Sequence, residues 1–252
     1  MINKPVAVIA GLGSGTGTGA AAARLFAKEG YAIALIARGA DSLKALSDEI
    51  TSAGGTAAPF TISSYSTADI NSAFAQLHAH YQGQPIRVAL YNAAHGVWKP
   101  FLDVTPDDIQ AVTQTNIEGA FTFSKNIIQA FQKNSLDEKG KRGSLIFTGA
   151  TASVRGNVTT SAFSAGKHAL RALSQSLAKE FGKQNIHVSH AIIDGGILTN
   201  RTREYRNDPE WEKNEDVRLS PDGIAESYLY LVRQPRSTWT WELDLRPAHE
   251  KW

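Results

Sequence analysis

Five short apolar runs, each bounded by turn residues, alternate along this chain with segments of helical periodicity. The runs span residues 6–10, 31–37, 88–92, 144–149 and 187–193. A continuous apolar run of this length is typical of a strand that is covered on both faces, as in a parallel sheet. Strands that alternate with helices predict an α/β fold with a doubly wound parallel sheet, because each parallel connection has to cross back over the sheet.

The residue pattern over 41–54 predicts a helix after the second apolar run. Asp41 is placed to cap its amino end, and Gly54 is placed to end it. Its apolar side chains recur at helical spacing and share one face: Leu43, Leu46, Ile50 and Ala53. Such a face predicts packing against the sheet.

A longer helix is predicted over residues 104–131. Thr105 is its expected cap, and Pro106 follows at the first helical position. The expected buried stripe consists of Ile109, Val112, Ala120, Phe123, Ile127 and Phe131. Asn116 falls within this stripe, where an apolar side chain would be expected. A buried amide needs hydrogen-bond partners. Asn116 therefore either bonds to a neighbouring carbonyl or belongs to a functional site.

Composition excludes several function classes. The 252 residues predict a single domain over residues 1–252, and the net charge of +2 lacks the basic excess typical of nucleic-acid binding. No apolar run approaches the length of a membrane span, and the first run begins too early to leave room for a signal peptide, so the cytoplasm is the expected compartment. Cysteine is absent and no cluster of metal-ligand residues stands out, so no metal site is expected.

A glycine-rich loop joins the first apolar run to an alanine-rich helix. Its candidate cofactor-binding residues are Gly13, Ser14, Gly15, Gly17, Thr18 and Gly19. Glycine lets the backbone adopt positive φ and approach a diphosphate closely, and the helix amino terminus presents N–H groups and the positive end of its dipole. The loop therefore predicts a dinucleotide-binding crevice.

Arg38 ends the second apolar run, where the adenosine ribose of a dinucleotide is expected to lie. An acidic side chain there would favour the 2′-hydroxyl of NAD, whereas a guanidinium can pair with the 2′-phosphate of NADP. The residue predicts NADP(H) in preference to NAD(H). The alternative is an arginine that is only on the surface.

Several motifs follow one another in a fixed order. They are GSGTGTG at 13–19, Arg38, YNAA at 91–94, Asn116, SLIFTGA at 144–150 and SAFSAGK at 161–167. With these motifs the chain resembles the short-chain dehydrogenase/reductase family over nearly its whole length. The resemblance implies a single-domain Rossmann fold with about seven strands. It also implies that residues 239–247 form the last strand.

The resemblance implies further cofactor contacts. Asn92 and Ala93 would lie under the adenosine ribose, and Ser63 stands where an aspartate commonly receives the adenine amino group. In the family, a loop after the sixth strand holds the carboxamide. Here that loop supplies Gly195, Ile197 and Thr199, with Asp194 in place of the usual proline.

The usual family mechanism moves a hydride between a nicotinamide and a carbonyl or alcohol carbon while a tyrosine transfers the proton. Asn116 and Lys167 match the family's asparagine and lysine, but Phe163 stands in the tyrosine position and Ala150 in the serine position. Loss of a general acid typically lowers the rate by about two to four orders of magnitude. The ordinary route of ketone reduction therefore lacks its proton donor and its serine in this sequence.

His95 is the candidate for a replacement proton donor. It follows the third of the apolar runs, at the carboxyl edge of the sheet, and histidine is the residue type best suited to proton transfer near neutrality. The alternative is a structural or solvent-facing histidine. Trp98 and Tyr205 are expected to wall an apolar pocket, and His187 and His190 to be core or edge residues.

These observations predict an atypical NADP(H)-dependent oxidoreductase that acts on a small carbonyl, alcohol or activated alkene. Its proton would come from solvent or a nonstandard residue. The alternative is a dinucleotide-binding protein without turnover, serving as a sensor or partner subunit. Residues 198–220 would form either a cover over the substrate or an exposed helix pair, and the resemblance implies a homodimer or homotetramer.

Overall fold

The apolar runs form strands of one parallel sheet in the computed structural model, which describes residues 4–250. The strands are β1 (Val6–Ala10), β2 (Ala32–Ala37), β3 (Thr56–Thr61), β4 (Ile86–Tyr91), β5 (Gly143–Thr148), β6 (Ile186–Ile193) and β7 (Glu242–Leu245). Their order in the sheet is β3-β2-β1-β4-β5-β6-β7, and every pairing is parallel. The winding direction reverses between β1 and β4, which places a crevice at the carboxyl ends of these two strands. The predicted fold class is confirmed.

Helices cover both faces of the sheet. They are α1 (Thr18–Lys28), α2 (Ala40–Ser52), α3 (Thr67–His80), α4 (Pro106–Thr113), α5 (Gly119–Gln132), α6 (Ser161–Phe181), α7 (Asn200–Arg206), α8 (Pro209–Lys213) and α9 (Pro221–Arg233). One core joins α3, α5 and α6 to the sheet, and a second joins α1, α2 and α9 to the other face. The strands between them are buried on both sides, which explains why they are apolar throughout.

The predicted cap of α2 is wrong by two positions. The helix begins at Ala40 with Gly39 as its cap, and Asp41 lies inside the first turn. There its carboxylate still favours the positive end of the helix dipole. At the other end Gly54 has φ of 87° and ends the helix as expected.

The long helix predicted over residues 104–131 contains one wide turn. Thr105 caps α4 in a capping box with Asp108, as expected, but Gln114–Glu118 form a π-helix before α5 begins. A π turn takes extra residues and so shifts the helical phase on either side of it. Ile109, predicted to be buried, is 54% exposed, whereas Val112 on the same helix and Phe123 on α5 are buried as predicted.

Two exposed helices lie within residues 198–220, the segment expected to form either a cover over the substrate or an exposed helix pair. α7 and α8 are short, and Trp211 is the buried side chain that attaches α8 to the body of the protein. Within residues 4–250, no helix has the length and apolar character that crossing a membrane requires.

Candidate functional site

The glycine-rich loop runs from the end of β1 to the start of α1. Gly13 and Gly15 have φ of 57° and 89°, and a Cβ added at either would meet no atom within 4 Å. Ser14 between them is exposed. The loop is therefore open rather than filled by side chains, as a site for a backbone-bound ligand requires.

The amino end of α1 leaves a polar group without a partner. Gly17 occupies the cap position, so no side chain caps the helix, and its first turn contains no acidic residue. The Thr18 hydroxyl is buried and has no hydrogen-bond partner in the described part of the chain. A buried polar group without a partner costs about 1–3 kcal/mol, so Thr18 fits a ligand that offers an oxygen acceptor.

The floor of the crevice is a close contact between the ends of β1 and β4. Asn92 donates from Nδ2 to the Gly11 carbonyl at 2.7 Å, and its backbone N–H donates to Ala10 at 2.8 Å. A Cβ at Gly19 would lie 2.2 Å from the Gly11 oxygen. Only glycine lets the first turn of α1 approach the sheet this closely. The neighbouring Ala93 is buried.

The loop after β6 closes the crevice opposite α1. A Cβ at Gly17 would lie 3.5 Å from Thr199 Cγ2, and the Asn200 N–H donates to Thr16 Oγ1 at 3.1 Å. Ile197 pairs with Leu219 in an isolated parallel bridge. Gly195 has φ of 150°, and a Cβ there would lie 2.8 Å from Pro247 Cδ. The structure thus brings this loop beside the glycine loop.

Asp194, at the base of the same loop, joins three segments. Its buried carboxylate accepts a short hydrogen bond from the Thr151 hydroxyl and pairs with Arg246 Nη1 at 2.6 Å. Arg155 lies 3.8 Å away. The carboxylate therefore fixes the loop to the turn after Ala150 and to the segment after β7. The sequence indicated only that Asp194 was unusual.

Arg38 and Ser63 lie at the other end of the crevice, beyond the carboxyl ends of β2 and β3. Both side chains are exposed. The Arg38 guanidinium lies over the Tyr65 ring, 5.7 Å from its centroid, and this contact orients it. Position and exposure together leave the Arg38 charge accessible to an anionic ligand.

Lys167 is buried on α6 beneath the crevice. Its ammonium donates to the Thr148 carbonyl at 2.7 Å, and burial lowers the pKa of the amine to about 8. Its Nζ also lies 5.9 Å from the Phe163 ring centroid. The lysine is therefore fixed in place although the neighbouring side chain carries no hydroxyl.

Lys167 should make the stability of the folded protein depend on pH above about 8, because its pKa falls from 10.5 to about 8 on folding. Below about pH 8 both states are protonated, and above it the unfolded chain binds more protons, so stability rises until about pH 10.5. The expected gain is on the order of 3 kcal/mol relative to Lys167→Met.

Urea unfolding of both proteins at about pH 7 and about pH 10 measures this difference. The pKa of Lys141 is also lowered to about 8 by burial, but this lysine is present in both proteins and its effect cancels. A stability difference between them that stays constant with pH would contradict the prediction.

Apolar side chains occupy the two vacated catalytic positions. Phe163 packs on Trp98 with ring centroids 5.2 Å apart. Ala150 follows β5, and its backbone N–H donates to Ser153 Oγ at 3.1 Å. Neither position offers a proton to the crevice.

The amide of Asn116 bonds to the main chain of His95 in both directions. Its Oδ1 accepts from the His95 N–H at 2.8 Å, and its Nδ2 donates to the His95 carbonyl at 3.1 Å. A Cβ at Gly166 would lie 2.7 Å from Nδ2, so α6 packs tightly behind the amide. Asn116 therefore fixes the backbone of a half-buried histidine at the mouth of the site.

The remaining candidates lie outside this cluster. Burial lowers the pKa of His187 and of His190 to about 4. His187 stacks on Trp239, and both histidines are core residues as expected. Tyr205 is 88% exposed, which does not suit the expected role as the wall of an apolar pocket. In the part of the chain that the structure describes, no three His, Cys, Asp or Glu side chains form a group that could hold a metal ion.

Comparison with known proteins identifies the family. Residues 5–210 match the profile of the short chain dehydrogenases. The chain belongs to the short-chain dehydrogenase/reductase family. Membership assigns it to the oxidoreductases that use nicotinamide cofactors, and the relatives described below are named as reductases or dehydrogenases.

Two curated relatives cover almost the whole chain. A 3-oxoacyl-[acyl-carrier-protein] reductase from Mus musculus is 30% identical over 237 residues, which is 92% of this chain and 93% of the relative. The corresponding reductase from Rattus norvegicus is 28% identical over 235 residues, with the same two coverages of 92% and 93%.

Solved structures agree with this assignment. A short-chain dehydrogenase from Rhodopseudomonas palustris superposes with a TM-score of 0.78 at 30% identity, covering 98% of this chain and all of the other. An alcohol dehydrogenase from Thermococcus sibiricus, complexed with 5-hydroxy-NADP, gives a TM-score of 0.82 at 21% identity and 98% coverage of both chains. The second likeness concerns the fold alone.

A nicotinamide dinucleotide fits the crevice of this family member. The partnerless Thr18 hydroxyl and the uncapped end of α1 suit a diphosphate, and the open glycine loop leaves space for it. The glycines are recognisable in the sequence, whereas the partnerless hydroxyl of Thr18 is evident only in the structure. Arg201 was also missed, although its guanidinium lies over the Trp98 ring.

Proposed function

We propose that this protein is an NADP(H)-dependent oxidoreductase that acts on a small carbonyl, alcohol or activated alkene. The observation that carries the proposal is the buried Thr18 hydroxyl without a partner at the amino end of α1, opposite Thr199. Lys167 supports the proposal, because this chain keeps the family's lysine as a buried ammonium although Phe163 replaces the family's tyrosine.

The chain's own residues would hold and orient the reactants. When bound, the cofactor would supply the hydride donor or acceptor. The glycine loop and Thr18 would bind its diphosphate, Asn92 and Ala93 would lie beside the adenosine ribose, and Lys167 would hold the other ribose. The loop of Gly195, Ile197 and Thr199 would contact the carboxamide.

The proton would come from solvent or from His95. Phe163 cannot provide it, whereas His95 is half-buried at the mouth and its backbone is fixed by Asn116. An activated alkene relaxes the demand for an acid, because the charge that develops is spread over the conjugated system. If His95→Ala leaves turnover unchanged on a working substrate, the histidine has no part in proton transfer.

Cofactor titration followed by a substrate panel tests the proposal. NADPH and NADH are titrated against the purified protein by nicotinamide fluorescence, and NADPH oxidation is then followed with ketones, quinones, enones and a 3-oxoacyl thioester. The thioester is included because the curated relatives are named as 3-oxoacyl-[acyl-carrier-protein] reductases. Binding with turnover supports the proposal, and absence of binding overturns it.

The second candidate function is a catalytically silent NADP(H)-binding sensor or partner subunit. The absence of hydroxyls at Ala150 and Phe163 favours it, because these positions supply the carbonyl-orienting and proton-donating groups of the family mechanism. NADPH binding without turnover on any substrate of the panel would select this function instead.

Arg38→Ala should weaken NADPH binding about tenfold to a hundredfold and leave NADH binding nearly unchanged. Hydrogen bonds to charged groups contribute about 1.5–3 kcal/mol each, and the 2′-phosphate that Arg38 would bind is absent from NADH. Fluorescence titration of the same variant with both cofactors measures the difference, with NADH as the internal control. Equal losses for the two cofactors would overturn the NADP(H) preference.

We also propose that residues 1–252 form one domain in which residues 198–220 act as a substrate lid. Two observations support a lid: α7 and α8 are exposed, and Thr199 at their start lies beside Gly17. A homodimer or homotetramer is proposed on the long helices, where Phe121 is 56% exposed. The cytoplasmic location stays a prediction.

A further inference from the structure

Four side chains from three segments form a continuous stack that leads out of the candidate site. The Lys167 ammonium lies 5.9 Å from the Phe163 centroid, the Phe163 ring lies 5.2 Å from the Trp98 ring, and the Arg201 guanidinium lies 5.9 Å from the Trp98 centroid. The stack begins at a buried cation and ends at an exposed one. It connects α6, the segment after β4 and α7.

Trp98 and Arg201 form the outer, accessible part of this stack. Trp98 is 55% exposed, which is unusual for a large aromatic side chain that already packs on a second ring. Arg201 is exposed as well. Together they present a partly exposed indole with a guanidinium over its ring.

Arg201 differs from the other arginines of α7 in the partners of its charged group. Arg203 pairs with Glu212 at 3.4 Å, and Arg206 lies over the Trp211 ring at 4.4 Å. Across residues 4–250, the Arg201 guanidinium makes neither a hydrogen bond nor an ion pair with another side chain. A guanidinium binds carboxylates in a bidentate geometry, and this one is available to do so.

We propose that this surface selects planar, conjugated substrates that carry a carboxylate. The exposed part of the Trp98 indole would contact the conjugated system, and Arg201 would pair with the carboxylate at the mouth of the site. The inference rests on the proposed oxidoreductase function and names its substrate class. Because the inference concerns how the substrate is bound, measurements of substrate binding test it as well as measurements of turnover.

A matched pair of acceptors tests the proposal, namely 3-benzoylacrylate and its methyl ester. Arg201→Gln should raise KM for the acid about tenfold to a hundredfold, while kcat and the KM of the ester change little. Arg233→Gln is the matched control, because it removes the same charge from an exposed arginine of α9 that pairs with Glu29, outside both the crevice and residues 198–220. That variant should leave both acceptors unaffected.

Ionic strength gives an independent readout. In the wild-type protein, added salt should raise KM for the acid more than KM for the ester, since exposed charge pairs are screened. An equal loss for acid and ester, or no loss in Arg201→Gln, would overturn the inference. Weakened NADPH binding in Arg201→Gln would also overturn it, because the arginine would then contact the cofactor.

Failure of the proposed function can be separated from failure of this inference. If neither acceptor is turned over, the acid and the ester are titrated against the NADPH-bound protein by quenching of tryptophan fluorescence, with Trp98→Phe to identify the reporting residue. Tighter binding of the acid that is lost in Arg201→Gln supports the inference without turnover. No preference for the acid contradicts it even where NADPH binds normally.

Discussion

Gly17→Val should lower the affinity for NADPH at least about a hundredfold, corresponding to about 2.7 kcal/mol, while the protein still folds. Gly17 caps α1 with φ of −95°, a value that any residue can adopt. Its added Cβ would contact Thr199 Cγ2 at 3.5 Å, an ordinary van der Waals distance. The larger valine side chain would fill the space between the helix and the opposing loop, where the diphosphate of the proposed cofactor would lie.

Gly223→Val is the matched control. Gly223 lies in the first turn of α9, and its added Cβ would meet Ser220 Cβ at 3.6 Å, so the local environment is similar but lies outside the crevice. Fluorescence titration should give wild-type NADPH affinity for this control, and thermal unfolding should show that both variants fold. Unchanged NADPH binding in Gly17→Val would place the cofactor elsewhere and overturn the proposed function.

The sheet could be predicted because its central strands carry a physical signature that needs no knowledge of distant contacts. A strand covered on both faces must be apolar throughout, as β1 and β2 are. β3 gave no such signal. It is one of the two edge strands of the sheet, and exposed Pro59 and Thr61 interrupt its apolar pattern, as is common at an edge.

The inner part of the candidate site was also visible in the sequence. The glycine loop and the spacing between Phe163 and Lys167 are local sequence patterns. In the structure both lie at the carboxyl ends of the strands, where the loop follows β1 and Lys167 bonds to Thr148 at the end of β5. The π turn at Asn116 could not be predicted, and neither could the contacts of its amide with His95 and Gly166, which are distant in the sequence. The only sign of it in the sequence was Asn116, a polar residue within the predicted apolar stripe.

The outer part of the site could not be predicted, because its contacts join residues far apart in the chain. Thr151 and Asp194 are brought together only when the loops after β5 and β6 meet. Arg201 reaches Trp98 from a charged segment in which several arginines look alike in sequence. Only the folded structure shows that Arg203 pairs with Glu212 and that Arg206 lies over Trp211, whereas Arg201 has no ion pair within residues 4–250.

Phe163→Tyr combined with Ala150→Ser should raise NADPH-dependent ketone reduction at least about a hundredfold, since a positioned general acid typically contributes about two to four orders of magnitude. The Lys167 ammonium already lies 5.9 Å from the centroid of the ring that would carry the new hydroxyl. A nearby positive charge lowers the pKa of a phenol and so improves it as a proton donor and acceptor. The serine hydroxyl would orient the substrate carbonyl, a role in which one donor is worth about two to three orders of magnitude.

The same double substitution in a Lys167→Met background is the control, because the phenol then lacks its charged neighbour and the gain should be much smaller. Initial rates are measured with a saturating ketone, and NADPH affinity is measured in parallel to show that the crevice is intact. Trp98 packs on the ring at 5.2 Å and limits where the new hydroxyl can point. If the variant binds NADPH normally and yet gains nothing, this stack holds the ring away from the reacting atoms, and the protein has departed from the family mechanism in geometry as well as in chemistry.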